Sequence, residues 1–284
     1  MFQTELEKMH IRCDSIEPIR SKDGVHVARV RMGAQTAVLK CFEKEEYRRE
    51  IANYRTLRAL GVRTLEILAE SEASILMEDA GTSATVRLGE ERDLASPEIA
   101  AKVALWYRDL HEKGRVWVAE HGAHLYDETD LITRENLACV REKTGTSSLP
   151  IWQDIDRHLD AILRIIHALP RTLTYNDFYY TNLICARDSS FAFMYDYNLL
   201  GKGYVLADIR NVCSSLSAPA QEAFLAAYGP YDPAEEAVDA VASTLTTLVL
   251  ACRRPSFPQW AQPSLQELHD GLAQKLQKLL QPLQ

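Results

Sequence analysis

Asn176-Asp177-Phe178-Tyr179-Tyr180-Thr181-Asn182, followed fourteen residues later by Asp196, is the stretch on which the reading of this chain turns. Asp177 and Asn182 stand five positions apart, close enough for one loop to hold both. A carboxylate can take the proton of an attacking hydroxyl. An amide oxygen and a second carboxylate are hard oxygen donors, suited to holding Mg²⁺ against nucleotide phosphates. An isolated Asp-x-x-x-x-Asn is common and would read as an ordinary loop, so Asp196 carries much of the argument. Residues 173–175 form a short extended piece leading into the loop. Residues 183–187 and 191–195 read as a small hairpin around Asp188-Ser189-Ser190, which returns Asp196 to the loop.

Upstream, the first forty residues read as strands. Residues 13–20 form one run, and Ser21-Lys22-Asp23-Gly24 supplies turn residues. Residues 25–32 alternate apolar and polar side chains, with an irregularity expected between Val27 and Val30. Gly33-Ala34-Gln35 turns the chain into residues 36–42, with Lys40 near the end of a third antiparallel strand. A helix is expected over residues 44–60, closed by Gly61. Tyr47, Glu50, Tyr54 and Leu57 share one of its faces, and a glutamate in that stripe calls for a partner. Glu46, one turn earlier, offers an alternative acid. Two more strand-like pieces, residues 65–71 and 73–78, end at Asp79-Ala80-Gly81, which reads as a linker.

Beyond the linker the chain turns helical. Ser96 and Pro97 suit a helix start, and an apolar stripe over residues 100–111 runs to Gly114. Residues 115–130 read as loop-rich. Within them Tyr126-Asp127-Glu128-Thr129-Asp130 is an acidic stretch that could draw an amine, although acidic loops are usually solvated. Residues 131–143 and 150–169 read as two helices, and the chain after Asp208 is helical with breaks at Pro219, Gly229-Pro230 and residues 255–263. There is no internal repeat. The sum is a small sheet-plus-helix lobe, a short connector and a larger helical lobe.

The chain has 284 residues, 46% of them hydrophobic, and a net charge of −8 from 32 Lys and Arg against 40 Asp and Glu. An acidic balance argues against nucleic acid as a partner. It is compatible with a cationic small molecule. The six cysteines lack Cys-x-x-Cys spacing, and His121 and His124 lack further ligands, so neither disulfides nor a zinc site is expected. Neither a secretory signal nor a membrane span is expected from residues 1–5 and the lengths of the apolar runs. The expected compartment is the cytoplasm, with no membrane partner.

At these residues the chain resembles the aminoglycoside phosphotransferase and choline kinase superfamily, whose fold is similar to that of protein kinases. The resemblance covers most of the chain and is firmest over residues 175–212. There Asp177 and Asn182 stand against the superfamily's His-Gly/Asn-Asp-x-x-x-x-Asn loop. Met194-Tyr195-Asp196-Tyr197-Asn198 stands against its Ile-Asp-x-Glu segment, and Ala207-Asp208-Ile209 is similar to the Asp-Ile/Leu sequence that follows. The resemblance implies an α+β, bilobal protein-kinase-like fold. Residues 1–79 would form a nucleotide-binding lobe of small antiparallel sheet and one helix, and residues 80–284 a larger, mostly helical lobe with the catalytic loop and acceptor site. It also implies roles: Asp177 as catalytic base, and Asn182 and Asp196 as Mg²⁺ ligands. Lys40 would contact the phosphates of ATP (or GTP) and Glu50 would position that lysine. The backbone of Met77, Glu78 and Asp79 would meet the purine, and Asp208 would support the loop.

Three positions depart from the pattern. Tyr175 stands where histidine is usual, which implies altered packing rather than lost chemistry. The turn over residues 21–25 has one glycine, so the phosphate cover is not legible. Asn198 replaces a common glutamate, which bears on the metal's surroundings. The expected activity is transfer of the γ-phosphate to a hydroxyl of a small molecule, aminoglycoside phosphotransferase-like. The alternatives are a metabolic kinase of choline, an amino alcohol or a sugar, and a catalytically silent nucleotide-binding protein. Asn176 and the Asp208-Ile209 continuation lean toward the choline kinase side. No activation segment ending in Ala-Pro-Glu is present, which argues against a protein substrate.

Overall fold

The computed structural model describes residues 1–281. In chain order its elements begin with α1 (Phe2–Lys8), β1 (Ser15–Lys22), β2 (Val25–Met32), β3 (Gln35–Phe42), α2 (Glu45–Ala59), β4 (Ile67–Glu70), β5 (Ser74–Glu78) and β6 (Val86–Leu88). There follow α3 (Pro97–His121), α4 (Arg134–Thr144), α5 (Ile151–Ala168), β7 (Thr172–Thr174), β8 (Leu183–Ala186), β9 (Ala192–Met194) and β10 (Gly201–Gly203). The chain ends with α6 (Val205–Cys213), α7 (Ala218–Tyr228), α8 (Ala234–Cys252), α9 (Gln262–Asp270) and α10 (Leu272–Leu280). This is the expected α+β class, an antiparallel sheet of five strands with a mostly helical remainder.

Contacts gather the chain into two compact units that do not follow the sequence-based boundary after residue 79. One comprises Met1–Gly114, Tyr175–Leu200 and Asn211–Gly229; the other comprises Arg115–Thr174, Gly201–Arg210 and the chain from Pro230 onward.

In the first unit the sheet runs β1-β2-β3-β5-β4. Asp23 and Gly24 both take positive φ (55° and 87°), the geometry that lets a two-residue turn join twisted strands. Along β3, Ala37, Leu39 and Cys41 turn into a core with Val30, Leu76 and Leu6 of α1. Lys40, between two of them, therefore faces the opposite side. The expectation of strands alone over the first forty residues is corrected by α1. Seven residues carry too little period to read as a helix, yet Leu6 is fully buried. The irregularity expected in β2 is corrected as well. β2 pairs with β3 without interruption, and the break lies in β1, between Pro18 and Arg20. The hairpin β8–β9 forms as expected, and β6 joins it as an unforeseen third strand.

The apolar stripe expected to stop at Gly114 continues instead through Gly114 and Val118, both buried, so α3 runs on to His121. An interior glycine costs a helix only about 1 kcal/mol, which the continuing buried face outweighs.

In the second unit α5 buries Ile151, Trp152, Ile155, Leu159, Ile162 and Ile166 along one face. They meet Val241, Leu245 and Leu248 of α8 and Leu272 and Leu276 of α10 in a common core. The acidic stretch 126–130 is not simply solvated. Asp127 is buried, accepts hydrogen bonds from Thr129 and pairs with Arg171 at 3.4 Å.

Gly145 ends α4 with φ 67°, and a Cβ built there would meet nothing within 4 Å. Gly145→Ala thus adds backbone strain without a clash. It is expected to lower unfolding free energy by about 1 kcal/mol, read as a fall in the urea midpoint at unchanged m-value.

Candidate active site

The site is assembled within the first unit from β3, α2, the loop 175–182 and the segment that leaves β9. Lys40 Nζ donates to both carboxylate oxygens of Glu50, at 2.9 and 2.7 Å, and lies 3.0 Å from Asp196. Glu50, not Glu46, is therefore the partner of Lys40. The Glu46 carboxylate sits 3.9 Å from the Lys44 ammonium and is largely exposed.

Backbone pairing explains why Asn182 and Asp196 meet. β8 and β9 align Leu183 with Met194, and the Tyr195 N–H donates to the Asn182 carbonyl at 2.9 Å. Asp196 is thus the next residue beyond a closed hairpin whose first strand begins just after Asn182. Asn182 Nδ2 donates to the Asp177 carboxylate at 2.9 Å and to its carbonyl at 3.2 Å. That orientation leaves the amide oxygen of Asn182 without a donor among the described residues. Two non-glycine residues flank the motif in the left-handed region, Asn176 (φ 65°) and Asp196 (φ 64°). Short polar side chains tolerate that backbone best, and Asn176 Nδ2 anchors itself on the Leu199 carbonyl at 3.0 Å.

A buried aromatic layer holds this loop. The Tyr175 hydroxyl donates to the Tyr195 carbonyl, and the Tyr197 hydroxyl to the Met194 carbonyl. Trp106, Tyr107 and Tyr197 meet the Tyr175 ring edge-on. Tyr175 thus buttresses the strand that presents Asp196, in keeping with the packing role expected for it. Asn53 on α2 donates to the Tyr197 carbonyl at 2.7 Å, and Arg49 donates to the Asn198 amide oxygen at 3.2 Å. One helix therefore supplies Glu50 and also braces the segment bearing Asp196.

The charges are unbalanced. Burial pushes the Glu50 carboxyl up to about 7, with the Asp196 charge adding to it and Lys40 opposing it. Burial, then the Asp196 charge, push Asp177 up to about 6 against the Asn182 hydrogen bond and Lys40. Burial disfavours the Lys40 ammonium too, but the two carboxylates outweigh it and hold the group charged. Three carboxylates around one ammonium, beside a free amide oxygen, form an all-oxygen donor set with excess negative charge. Such a set fits Mg²⁺.

These groups open on a cavity of about 650 Å³. Lys40, Glu50, Met77, Glu78, Asp79, Asn182 and Asp196 line it; Asp177 is not among its lining residues and joins the cluster through Asn182. Asp79 turns its side chain to Arg29 (2.6 Å) and Thr36 (3.0 Å). Burial opposes its ionisation, but these bonds prevail and hold its carboxyl below the usual range. Asp208 is buried and counted with the second unit. Arg20, Arg29, Asn53 and Arg49 were not singled out from the sequence, where each reads as an ordinary polar residue of a strand or helix. Among the described residues, Asp127, Asp130 and His167 form a separate group with ligand atoms within 4.8 Å, but Asp127 already has Thr129 and Arg171.

The sequence profile of the "Phosphotransferase enzyme family" matches residues 15–241. A search of curated proteins finds no match. Among solved structures, the choline kinase LicA from Streptococcus pneumoniae superposes with a TM-score of 0.62 at 13% identity, covering 95% of this chain and 97% of that one. The macrolide 2′-phosphotransferase MphH from Brachybacterium faecium gives 0.62 at 16% identity, covering 94% and 96%. A spectinomycin phosphotransferase in complex with ADP and spectinomycin gives 0.55 at 11% identity, covering 98% and 93%. At these identities the likeness is one of fold.

Proposed function

The chain belongs to the phosphotransferase enzyme family, a small-molecule kinase by that membership, and we propose that it moves the γ-phosphate of ATP or GTP to an acceptor hydroxyl at the Asp177 loop. The observation that carries the reading is the convergence of Lys40, Glu50, Asn182 and Asp196 on one cavity, with Asp177 tied to Asn182. Asp177 orients the acceptor hydroxyl and takes its proton. Lys40 meets the phosphates, held in place by Glu50. The backbone at Met77, Glu78 and Asp79 adjoins the purine. Asn182 and Asp196 would hold Mg²⁺, which when bound neutralises charge on the phosphate oxygens. The protein's contribution is positioning and electrostatics, since phosphoryl transfer asks little covalent chemistry of it.

The acceptor divides the reading in two. An antibiotic acceptor of aminoglycoside or macrolide type is one possibility, supported by the fold likeness to the spectinomycin and macrolide enzymes. Choline or another amino alcohol is the other, supported by the fold likeness to the choline kinase and by Asn176 before Asp177. A cationic acceptor suits the net charge of −8 in either case. The test is Mg-ATP turnover over a panel of aminoglycosides, macrolides, amino alcohols and sugars. Acceptor-dependent ADP release with one class supports the proposal. Nucleotide binding with no turnover on any acceptor supports a silent nucleotide-binding protein instead.

A further inference from the structure

Resting on the nucleotide-binding reading of the cavity, we infer that Arg20 is the residue of the β1–β2 hairpin that grips the nucleotide's terminal phosphates. The irregularity in β1 places it there. β1 pairs with β2 from Ser15↔Arg31 to Pro18↔Ala28 and resumes at Arg20↔Val27, so Ile19 is the extra residue of a bulge. Val27 in turn pairs with Lys40. Side chains of directly paired residues share a face, so Arg20, Val27 and Lys40 form one row across three strands. In an unbroken register Ile19 would stand opposite Val27, and Arg20 would point to the other face. The bulge therefore delivers a guanidinium to the same side as the phosphate lysine, two strands and about 10 Å away.

The ion pairs single out the same residue. Among the described residues, four lysines and arginines line the cavity: Arg20, Lys22, Arg29 and Lys40. Lys40 is taken by Glu50 and Asp196, Arg29 by Asp79, and Lys22 lies 3.9 Å from Asp23. Among the described residues the Arg20 side chain has no hydrogen-bond or ion-pair partner. A hairpin with one glycine in residues 21–25 lacks the glycine-rich backbone that elsewhere cradles phosphates. A planar guanidinium with five donors can do that work from a side chain.

The test compares the affinities of AMP, ADP and a non-hydrolysable ATP analogue, each with Mg²⁺, for the wild type, Arg20→Ala and Arg20→Lys. Arg20→Ala is expected to weaken ADP and the ATP analogue about tenfold and to leave AMP unchanged, with Arg20→Lys in between. Arg20 is solvent-exposed, and an unchanged melting temperature checks that the variants fold. Equal affinities for all three nucleotides in Arg20→Ala and wild type overturn the inference while leaving the kinase reading intact. So does an equal loss for all three, which marks a structural role. A wild-type chain that binds none of them overturns both.

Discussion

Asp177→Asn is expected to cut turnover by about 10²–10⁴-fold while leaving Mg-ADP affinity within about twofold of the wild type. The substitution removes the proposed proton acceptor and little else. An amide oxygen at position 177 can still receive the Asn182 Nδ2 hydrogen bond, now at 2.9 Å, so the loop keeps its internal tie. Nor does Asp177 line the cavity proposed for the nucleotide, so binding should not feel the change directly. Steady-state kinetics on the acceptor found by the panel, with ADP affinity measured in parallel, decide the matter. Full turnover in the variant would mean that another group takes the proton.

Asp196→Ala should act through a different quantity. Its expected effect is loss of the Mg²⁺ dependence of nucleotide affinity, together with a fall in kcat/KM on the order of 10³. Without the second carboxylate Lys40 pairs with Glu50 alone; burial still raises Glu50 and Asp177, but the repulsion that Asp196 adds to it disappears. The variant should therefore remain folded, less about 1 kcal/mol for an alanine held at the left-handed backbone that Asp196 occupies. Asp196→Asn separates charge from backbone, since asparagine tolerates that conformation, and should lose Mg²⁺ dependence as well. An Asp196→Asn protein with undiminished Mg²⁺ dependence would remove this residue from the metal site.

Much of the site was legible because its chemistry is compressed into short spacings. Asp177 and Asn182 lie five residues apart, and the Asp188-Ser189-Ser190 turn announces the hairpin that brings Asp196 back. The strand pattern around Lys40 was legible for a similar reason. Leu39 and Cys41 alternate with it, and Asp23-Gly24 is a strong turn signal. What escaped was set by tertiary contacts. Spacing could not choose between Glu46 and Glu50, which stand four residues apart on neighbouring turns; only the position of β3 against α2 decides for Glu50. Asn53 looks like a solvated helix residue until the Tyr197 carbonyl is placed beside it. The β1 bulge leaves no mark in composition, so the face to which Arg20 points could not be read. α1, β6 and β10 are shorter than the window over which a period becomes visible, and α3 passed through a glycine that normally reads as a stop.

The most direct measurement is a crystal structure with Mg²⁺ and a non-hydrolysable ATP analogue. The base is expected beside the Met77–Asp79 backbone, the phosphates against Lys40, and the metal between Asn182 and Asp196. A nucleotide bound elsewhere, or one in the cavity with Asp196 still closed on Lys40 and no metal between Asn182 and Asp196, would contradict it.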